Sequence, residues 1–211
     1  MNKIILTSAY LGPVQYYTKF LEQKQVFIER YDSYHKQTYR NRCQILGANG
    51  PLVLTIPVIK NSGEKTLVKD VLIDYATPWQ NNHWRSIFSA YNSSPFFEYF
   101  EPDFIPFYQK KWKFLFDFNM ALHEVVAEIL ELEPNWQLTT DYVKEFEGED
   151  YRRAISPKQP FSVTDPQFKP MPYSQTFGEK FGFVPNLSII DLLFNSGPET
   201  DLVLEGSTSG K

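Results

Sequence analysis

Two short apolar runs separated by a helical segment, near the start of the chain, constrain the fold most. Residues 4–6 and 26–28 have the length and composition of buried strands, and the Gly12-Pro13 pair between them marks a turn into a helix. The stretch "CQILGANGPLVLTIPV" that follows is typical of a hairpin with its turn at "ANG". The sequence therefore predicts a single mixed α/β domain, in which an N-terminal strand-helix-strand unit and a hairpin form a central sheet.

The second half of the chain is mainly helical in its periodicity, after one further strand predicted around residues 71–73. Thr77 and Pro78 are typical of an N-cap and a first helical residue. A long amphipathic helix is predicted over residues 110–133 and a last helix over residues 186–197. Four apolar side chains of the first of these helices recur at helical spacing and form one buried stripe: Trp84, Ile87, Phe88 and Tyr91.

Residues 145–182 are rich in proline, glycine and charge and have weak periodicity, which predicts an extended or mobile loop. No internal repeat and no shift in composition divides the chain. We therefore interpret residues 1–203 as one domain and residues 204–211 as a disordered tail. The final "GSTSGK" lacks the four residues between glycines, and the following helix, that a phosphate-binding loop needs.

Composition excludes several classes of protein. The chain has 211 residues, a net charge of −4 and one cysteine, Cys43. The acidic balance argues against nucleic acid as a partner, because binding to phosphates needs a concentrated Lys/Arg surface. One cysteine excludes an intrachain disulfide and a thiolate zinc site, and no apolar run has the length of a signal-peptide core or a membrane span. We expect a cytoplasmic protein without membrane insertion, whose oligomeric state the sequence leaves open.

His83 stands between two tryptophans in "WQNNHW". On the predicted helix it lies about 90° from the centre of the buried stripe, with Trp79 one turn before it. A partly desolvated imidazole at the rim of a core suits a general acid or base, because its pKa is close to neutral. The alternative is a hydrogen-bonded histidine at the boundary of the core. His123 is expected to be solvated, and the three histidines do not have metal-ligand spacing, so we expect no metal and no cofactor.

The segment of residues 31–42 combines charged side chains with tyrosines. Guanidinium groups bind phosphate or carboxylate in a two-pronged manner, and tyrosine rings stack on the apolar faces of sugars. The segment therefore indicates a ligand that is anionic or sugar-like, and His35 is a second candidate base. The alternative is a solvated connection between strands. The charged residues are Asp32, His35, Lys36, Arg40 and Arg42, and the tyrosines are Tyr31, Tyr34 and Tyr39.

Ser188 and Asp191 resemble a nucleophile and its partner, but their spacing matches a capping box better. In that interpretation Ser188 caps the last helix and Asp191 lies in its first turn. The sequence has no G-x-S-x-G motif, and Cys43 has no histidine near it in the sequence, so neither indicates nucleophilic catalysis.

Several stretches together resemble one family. "YRNRCQI", "PLVLTIPV", "WQNNHWRSIFSAYNSSPFF" and "PNLSIIDLLFNSGPE" are similar to the WbqC-like proteins of bacteria, in the form seen in Bacteroides relatives, and the likeness runs over residues 3–199. The chain departs from the family at "SAYLGP" around Tyr10, where many members have Gln-Pro before the tyrosine and Leu-Pro after it. The polar positions that match are Lys36, Asn41, Arg42, Thr55, His83, Tyr91, Ser188 and Asp191.

The resemblance implies an association with genes for O-antigen and other surface polysaccharides. It also implies the transfer of an amino acid, such as glycine, or another small group to a sugar precursor. The favoured hypothesis is therefore a cytosolic transferase whose small-molecule substrate is a sugar nucleotide or an activated acyl donor. In this hypothesis His83 is the general base, and Lys36, Asn41 and Arg42 hold the anionic group of the donor.

Two other functions stay open. A non-catalytic sugar- or nucleotide-binding partner of a biosynthetic complex would use aromatic side chains as a stacking platform. A hydrolase would combine Ser188, Asp191 and His83. The candidate substrate-binding residues are Lys36, Tyr39, Asn41, Arg42, Thr55, Trp79 and Tyr91, and the second set of candidates is Tyr10, Asp32, His35, Ser188 and Asp191.

Overall fold

The structure is a computed structural model that describes residues 3–21, 24–59, 65–132 and 135–208, and it confirms the predicted α/β class. The strands are β1 (Lys3–Thr7), β2 (Gln25–Glu29), β3 (Arg42–Gly47), β4 (Gly50–Thr55), β5 (Trp136–Leu138) and β6 (Glu149–Asp150). The helices are α1 (Val14–Thr18), α2 (Trp79–Tyr91), α3 (Phe97–Gln109), α4 (Leu115–Ile129), α5 (Phe161–Thr164), α6 (Gly178–Phe181), α7 (Ile189–Ser196) and α8 (Thr200–Gly206).

Four strands form a parallel sheet in the order β5-β2-β1-β6. The side chains of β1 are buried after its first residue, as expected for a central strand with both faces covered. α1 connects β1 to β2, and the two strands align from Lys3 with Gln25 to Thr7 with Glu29. β5 and β6 come much later in the sequence, and they pair with β2 and β1, respectively. Because all four strands are parallel, their carboxyl ends lie at one edge of the sheet.

The hairpin is present but does not belong to this sheet. β3 and β4 pair from Arg42 with Thr55 to Gly47 with Gly50, and they form a separate two-stranded sheet. Gly50 has a φ of 110°, which favours glycine, and this places the turn where "ANG" predicts it. The prediction that the hairpin joins the central sheet was wrong. The strands that pair with β2 and β1 instead are β5 and β6, with three and two residues.

The helical second half is confirmed, with different boundaries. α2 begins at Trp79, and the backbone N–H of Trp79 donates to the carbonyl of Thr77, so Pro78 takes the cap position without a side-chain cap. Residues 71–73 do not form the predicted strand. This segment makes isolated bridges, in which Ile73 pairs with Val58, in place of a ladder.

Residues 145–182 are part of the packed structure, which corrects the prediction of an extended or mobile loop. They contain β6, α5 and α6, elements of only two to four residues that leave no periodic pattern. The side chain of Gln175 bonds the backbone of Val184 twice, at 2.9 and 2.8 Å. The predicted tail also needs correction, because Leu204 is buried in α8 and Thr208 bridges to Phe168. Residues 209–211 lie outside the described residues.

One cluster of buried apolar side chains includes both halves of the chain, for example Ile4, Tyr91 and Phe194. α7 is buried at every position and packs against α1, α3 and β3. This shared core is what a single domain requires, and it continues past residue 203 to Leu204 of α8. Among the helices that the structure describes, none is both long enough and apolar enough to cross a membrane.

Candidate functional site

The structure places His83 inside the core, where it is 6% exposed. Its Nδ1 is hydrogen-bonded to the hydroxyl of Tyr10 at 3.0 Å, and that hydroxyl lies 2.8 Å from the hydroxyl of Tyr108. The ring of Trp79 packs edge-on at 5.1 Å. Burial lowers the pKa of His83 to about 4, and a hydrogen bond to the backbone of Thr55 opposes this only in part. The imidazole is therefore neutral at pH 7 and a weak base, with the contacts of a histidine that supports the core.

The candidates around the hairpin also make structural contacts. Asn41 donates from Nδ2 to the carbonyl of Ile56 at 2.9 Å, and the N–H of Ile56 donates back to the carbonyl of Asn41 at 2.8 Å. Arg42 begins β3 and is half-buried, and its Nε has no hydrogen-bond partner among the residues that the structure describes. Lys36 is exposed, and Tyr39 is half-buried against the core. Backbone hydrogen bonds connect this group to His83, because Thr55, which pairs with Arg42, bonds His83, and the N–H of Tyr10 donates to the carbonyl of Tyr39 at 2.8 Å. These contacts hold the hairpin against the core.

Asp191 is 1% exposed and accepts three side-chain hydrogen bonds. The donors are the hydroxyls of Tyr91 at 2.7 Å and Tyr173 at 2.6 Å, and Nε2 of Gln175 at 3.1 Å. Ser188 donates its hydroxyl to the backbone between β1 and α1 at 2.7 Å. The predicted positions are confirmed, because Ser188 is the N-cap residue of α7 and Asp191 lies in its first turn. The side-chain bonds of a capping box were wrong, because Ser188 makes no side-chain cap and both side chains have tertiary partners.

We call these two groups the buried networks: His83, Tyr10 and Tyr108 in the first, and Tyr91, Asp191, Tyr173 and Gln175 in the second. They do not form the triad of the hydrolase hypothesis, because Ser188, His83 and Asp191 each bond to other groups. Cys43 is buried too, and burial raises the pKa of its thiol, so it is a poor nucleophile.

His123 is also buried, which corrects the expectation that it is solvated. It is 3% exposed, and its ring lies 4.7 Å from that of Phe20 and 4.8 Å from that of Trp136. Burial lowers the pKa of this imidazole to about 3. His123 is therefore an aromatic member of the core.

A second polar region lies at the carboxyl edge of the parallel sheet. A cavity of about 310 Å³ is lined there by the last residue of β6 and by residues that follow β2, β5 and β6. In open parallel sheets, ligands bind at the carboxyl ends of the strands where the connections diverge to opposite sides. Here β2 and β6 flank β1, so this divergence lies beside β1. We call the lining residues the carboxyl-edge cluster: Asp32, Tyr142, Lys144, Asp150, Arg152 and Arg153.

Arg152 is held in place by acidic side chains. Its Nε and Nη2 donate to the carboxylate of Asp150 at 3.0 and 2.6 Å, and Nη1 lies 3.4 Å from Glu29. Glu29 is fully buried and also accepts hydrogen bonds from the Tyr31 backbone and the Thr139 hydroxyl. Burial raises the pKa of Asp150, but hydrogen bonds from Arg152 outweigh this and the pKa lies below its ordinary value. Arg152 thus links the end of β6 to the end of β2, through Asp150 and Glu29, and places a positive charge at the cavity.

Arg40 and His35 bring the predicted segment of residues 31–42 to the same place. Arg40 is 2% exposed and bonds Asp32, which lines the cavity, at 3.1 Å. His35 is exposed, and its pKa is lowered by desolvation and then by the charge of Arg40. Asp32 opposes this shift, and Arg153 and Lys158 add to it. His35 is therefore neutral at pH 7 and lies among cations.

Two cations of the carboxyl-edge cluster are available to a ligand. Lys144 and Arg153 are exposed, and neither makes an ion pair or a side-chain hydrogen bond with another described residue. Free cations and unpaired donors together are what an anion requires. Four buried polar atoms also have no hydrogen-bond partner among the described residues. They are Thr7 Oγ1, Ser8 Oγ and Arg30 Nε at the carboxyl ends of β1 and β2, and Nε of Arg40, which bonds Asp32.

Sequence reasoning found only part of this cluster. It named Asp32 and His35, because residues 31–42 are visibly polar and aromatic. It missed Lys144, Arg152 and Arg153, which lie at or beside the segment expected to be a loop. The available signal was the pair of adjacent arginines in "GEDYRR", one residue after a two-residue strand with its preceding glycine.

Comparison with known proteins identifies a family. The sequence model of the WbqC-like protein family matches residues 8–165 and 158–202. The chain is also 25% identical to the uncharacterized protein Rv1507c of Mycobacterium tuberculosis, over 94% of this chain and 96% of that protein. No solved structure matched the chain. Because the family match spans most of its length, the chain belongs to the WbqC-like protein family.

Proposed function

We propose that this WbqC-like protein, of the Bacteroides type that its sequence motifs indicate, is a transferase that binds an anionic, activated donor at the carboxyl-edge cluster. The observation that carries the proposal is the position of Lys144 and Arg153. Both are exposed cations that make no ion pair or side-chain hydrogen bond with another described residue, and both line a cavity at the edge of a parallel sheet where ligands commonly bind. The donor is a sugar nucleotide or an activated acyl compound.

The chemistry of the cavity favours a phosphate. Lys144, Arg152 and Arg153 contribute three positive charges against the two negative charges of Asp32 and Asp150. Arg152 already uses its guanidinium on Asp150, so Lys144 and Arg153 are the groups that contact the donor. A volume of about 310 Å³ lies at the lower end of the range of ligand pockets. It accommodates a diphosphate, and the rest of a sugar nucleotide extends towards the exposed ring of Tyr142.

In this proposal His35 takes the role that the sequence assigned to His83. A neutral imidazole at pH 7 accepts the proton of an acceptor amine or hydroxyl as that group attacks the donor. The bond between the transferred group and the phosphate breaks, and Lys144 and Arg153 stabilise the charge on the departing phosphate. Arg40 and Arg152 act as positioning residues through Asp32 and Asp150. The link to surface-polysaccharide assembly in the cytoplasm depends on the family resemblance.

A non-catalytic binding partner is the second candidate. Tyr142 is 49% exposed and lines the cavity, as a stacking platform for a base or sugar requires. This alternative predicts the same binding of phosphate and no turnover. It also predicts that Tyr142→Ala weakens binding of a sugar nucleotide much more than binding of pyrophosphate.

Calorimetric titration with inorganic pyrophosphate and with UDP-glucose tests the location of the site. We expect both to bind, and we expect the double variant Lys144→Gln/Arg153→Gln to weaken both by at least about tenfold, because each charge-assisted hydrogen bond contributes more than 1 kcal/mol. Arg42→Gln is the matched control, since it removes a half-buried arginine of the candidate group at the hairpin. Loss of binding in Arg42→Gln with retention in the double variant would place the donor at the hairpin instead and refute the proposed site.

A further inference from the structure

A larger cavity, of about 800 Å³, lies on the helical side of the molecule between α3, α4, α7 and α8. Its lining includes four carboxylates, which we call the acidic rim: Asp103, Glu128, Glu131 and Asp201. Its floor is apolar, with Phe100 and Leu130 only 6% and 5% exposed. None of the functional candidates described above lines this cavity.

The acidic rim consists of two pairs of like charges. The pKa of Asp103 is raised by desolvation and then by the charge of Glu128. The pKa of Asp201 is raised by desolvation, by Glu205 and by Glu131. The first pair therefore joins Asp103 of α3 to Glu128 of α4. The second pair joins Asp201 of α8 to Glu131, which lies just after α4.

The structure gives these carboxylates no neutralising partner. None of the four makes an ion pair with another residue in the described ranges. They are also not a metal site, since no group of three or more His, Cys, Asp or Glu side chains among the described residues converges closely enough to hold an ion. Two separated acidic pairs are complementary to a ligand that carries two separated positive charges.

Two further features indicate an organic cation. Thr200 lines the cavity and is 1% exposed, and its hydroxyl has no hydrogen-bond partner in the described part of the chain. The ring of Tyr99, which lines the cavity and is 76% exposed, lies 4.9 Å from that of Phe100 in a T-shaped pair. An open aromatic face attracts ammonium groups, and an unpaired hydroxyl accepts their protons.

We propose that this cavity binds an aliphatic diamine or polyamine. One ammonium group lies between Asp103 and Glu128, and a second lies between Asp201 and Glu131. The methylene chain that joins them covers the apolar floor, where Phe100 and Leu130 lie. This site is separate from the carboxyl-edge cluster, and its ligand has the opposite charge. The proposal does not depend on the proposed transferase function.

Calorimetric titration of the full chain with putrescine, spermidine and butylamine, at constant ionic strength, tests whether the ligand needs two ammonium groups. We expect putrescine and spermidine to bind saturably and at least about tenfold more tightly than butylamine, because only a second ammonium reaches the second acidic pair. Magnesium chloride at the same concentration should not compete. Equal affinity for putrescine and butylamine, or displacement of putrescine by magnesium, overturns the proposal.

The location is tested with two double variants of equal net charge. Asp103→Asn/Asp201→Asn removes one carboxylate from each pair and should weaken putrescine binding at least about tenfold. Asp117→Asn/Glu124→Gln removes two exposed carboxylates of α4 that do not line the cavity, and it should leave binding unchanged. An equal loss in both double variants shows a general effect of net charge and overturns the proposal.

The melting temperature of the free protein shows whether a variant loses binding only because it is misfolded. Removing one member of each like-charge pair relieves repulsion, so the melting temperature of Asp103→Asn/Asp201→Asn should not fall below that of the wild type. Glu128→Gln/Glu131→Gln neutralises the other member of each pair at exposed positions of the rim and should weaken putrescine binding equally. Full putrescine affinity in this second variant also overturns the proposal.

Discussion

The buried networks and the carboxyl-edge cluster are both rich in polar side chains, but they differ in how completely those side chains are paired. In the networks, Asp191 has three side-chain donors and His83 bonds to both Tyr10 and the backbone of Thr55. In the cluster, Lys144 and Arg153 are exposed without partners among the described residues. Both regions look equally polar in the sequence.

The difference follows from the cost of burying polar groups. A buried carboxylate or imidazole is tolerated only when its hydrogen bonds are made within the protein. Once they are made, the group has little capacity left for a ligand, and it stabilises the fold instead. A cation at a sheet edge keeps that capacity, because water satisfies it until a ligand replaces the water. Incomplete pairing, more than residue type, is therefore the feature that identifies a binding site.

The largest effect is expected for Asp191→Ala. Removal of the carboxylate leaves the hydroxyls of Tyr91 and Tyr173 and the amide of Gln175 without their acceptor inside the core. We expect the free energy of unfolding to fall by about 3–5 kcal/mol. Urea denaturation measures this, with Asp117→Asn on the exposed side of α4 as a control that changes stability by less than about 0.5 kcal/mol. A loss for Asp191→Ala as small as the control's would show that this network does not stabilise the fold.

A slightly smaller effect is expected from pH. The folded-state pKa of His83 is about 4, below its ordinary value of 6.5, so the unfolded chain binds the proton more readily between these values. Stability from the neutral imidazole is therefore complete above about pH 6.5 and is lost as pH falls towards 4, by about 3 kcal/mol in total.

Urea denaturation of wild type and His83→Gln at pH 7, 6 and 5 measures this contribution. The difference between the two proteins should be largest at pH 7 and should shrink as pH falls, since glutamine does not titrate. A difference that stays constant over this range would show that His83 has the same pKa in the folded and unfolded chains, and it would refute the prediction.

The third prediction compares the two histidines in function. With a donor found by binding assays, His35→Gln should lower turnover about 10²-fold, because glutamine cannot accept the acceptor's proton. Its free energy of unfolding should change by less than about 0.5 kcal/mol, since His35 is exposed. His83→Gln should do the reverse, with reduced stability and unchanged turnover per folded molecule. The opposite pattern would return the catalytic role to His83 and the hairpin.

The sequence by itself determined the local elements. The first two strands, the hairpin with its glycine turn, α2, α4 and α7 all follow from patterns within ten or twenty consecutive residues. It also located Asp32 and His35 in a segment that indicates an anionic ligand. Short-range periodicity and turn chemistry are properties of neighbouring residues, so they can be read without knowledge of the fold.

Only the tertiary structure decided which polar residues meet. β6 has two residues and pairs with β1 across more than a hundred positions, and this pairing brings Asp150 and Arg152 to Glu29. His83 has the same helical phase whether its face is open or covered, and it is the β1–α1 connection that covers it with Tyr10. Pairing over long sequence distances depends on the packing of the whole chain. No local pattern therefore distinguishes a satisfied core histidine from a free one in a cleft.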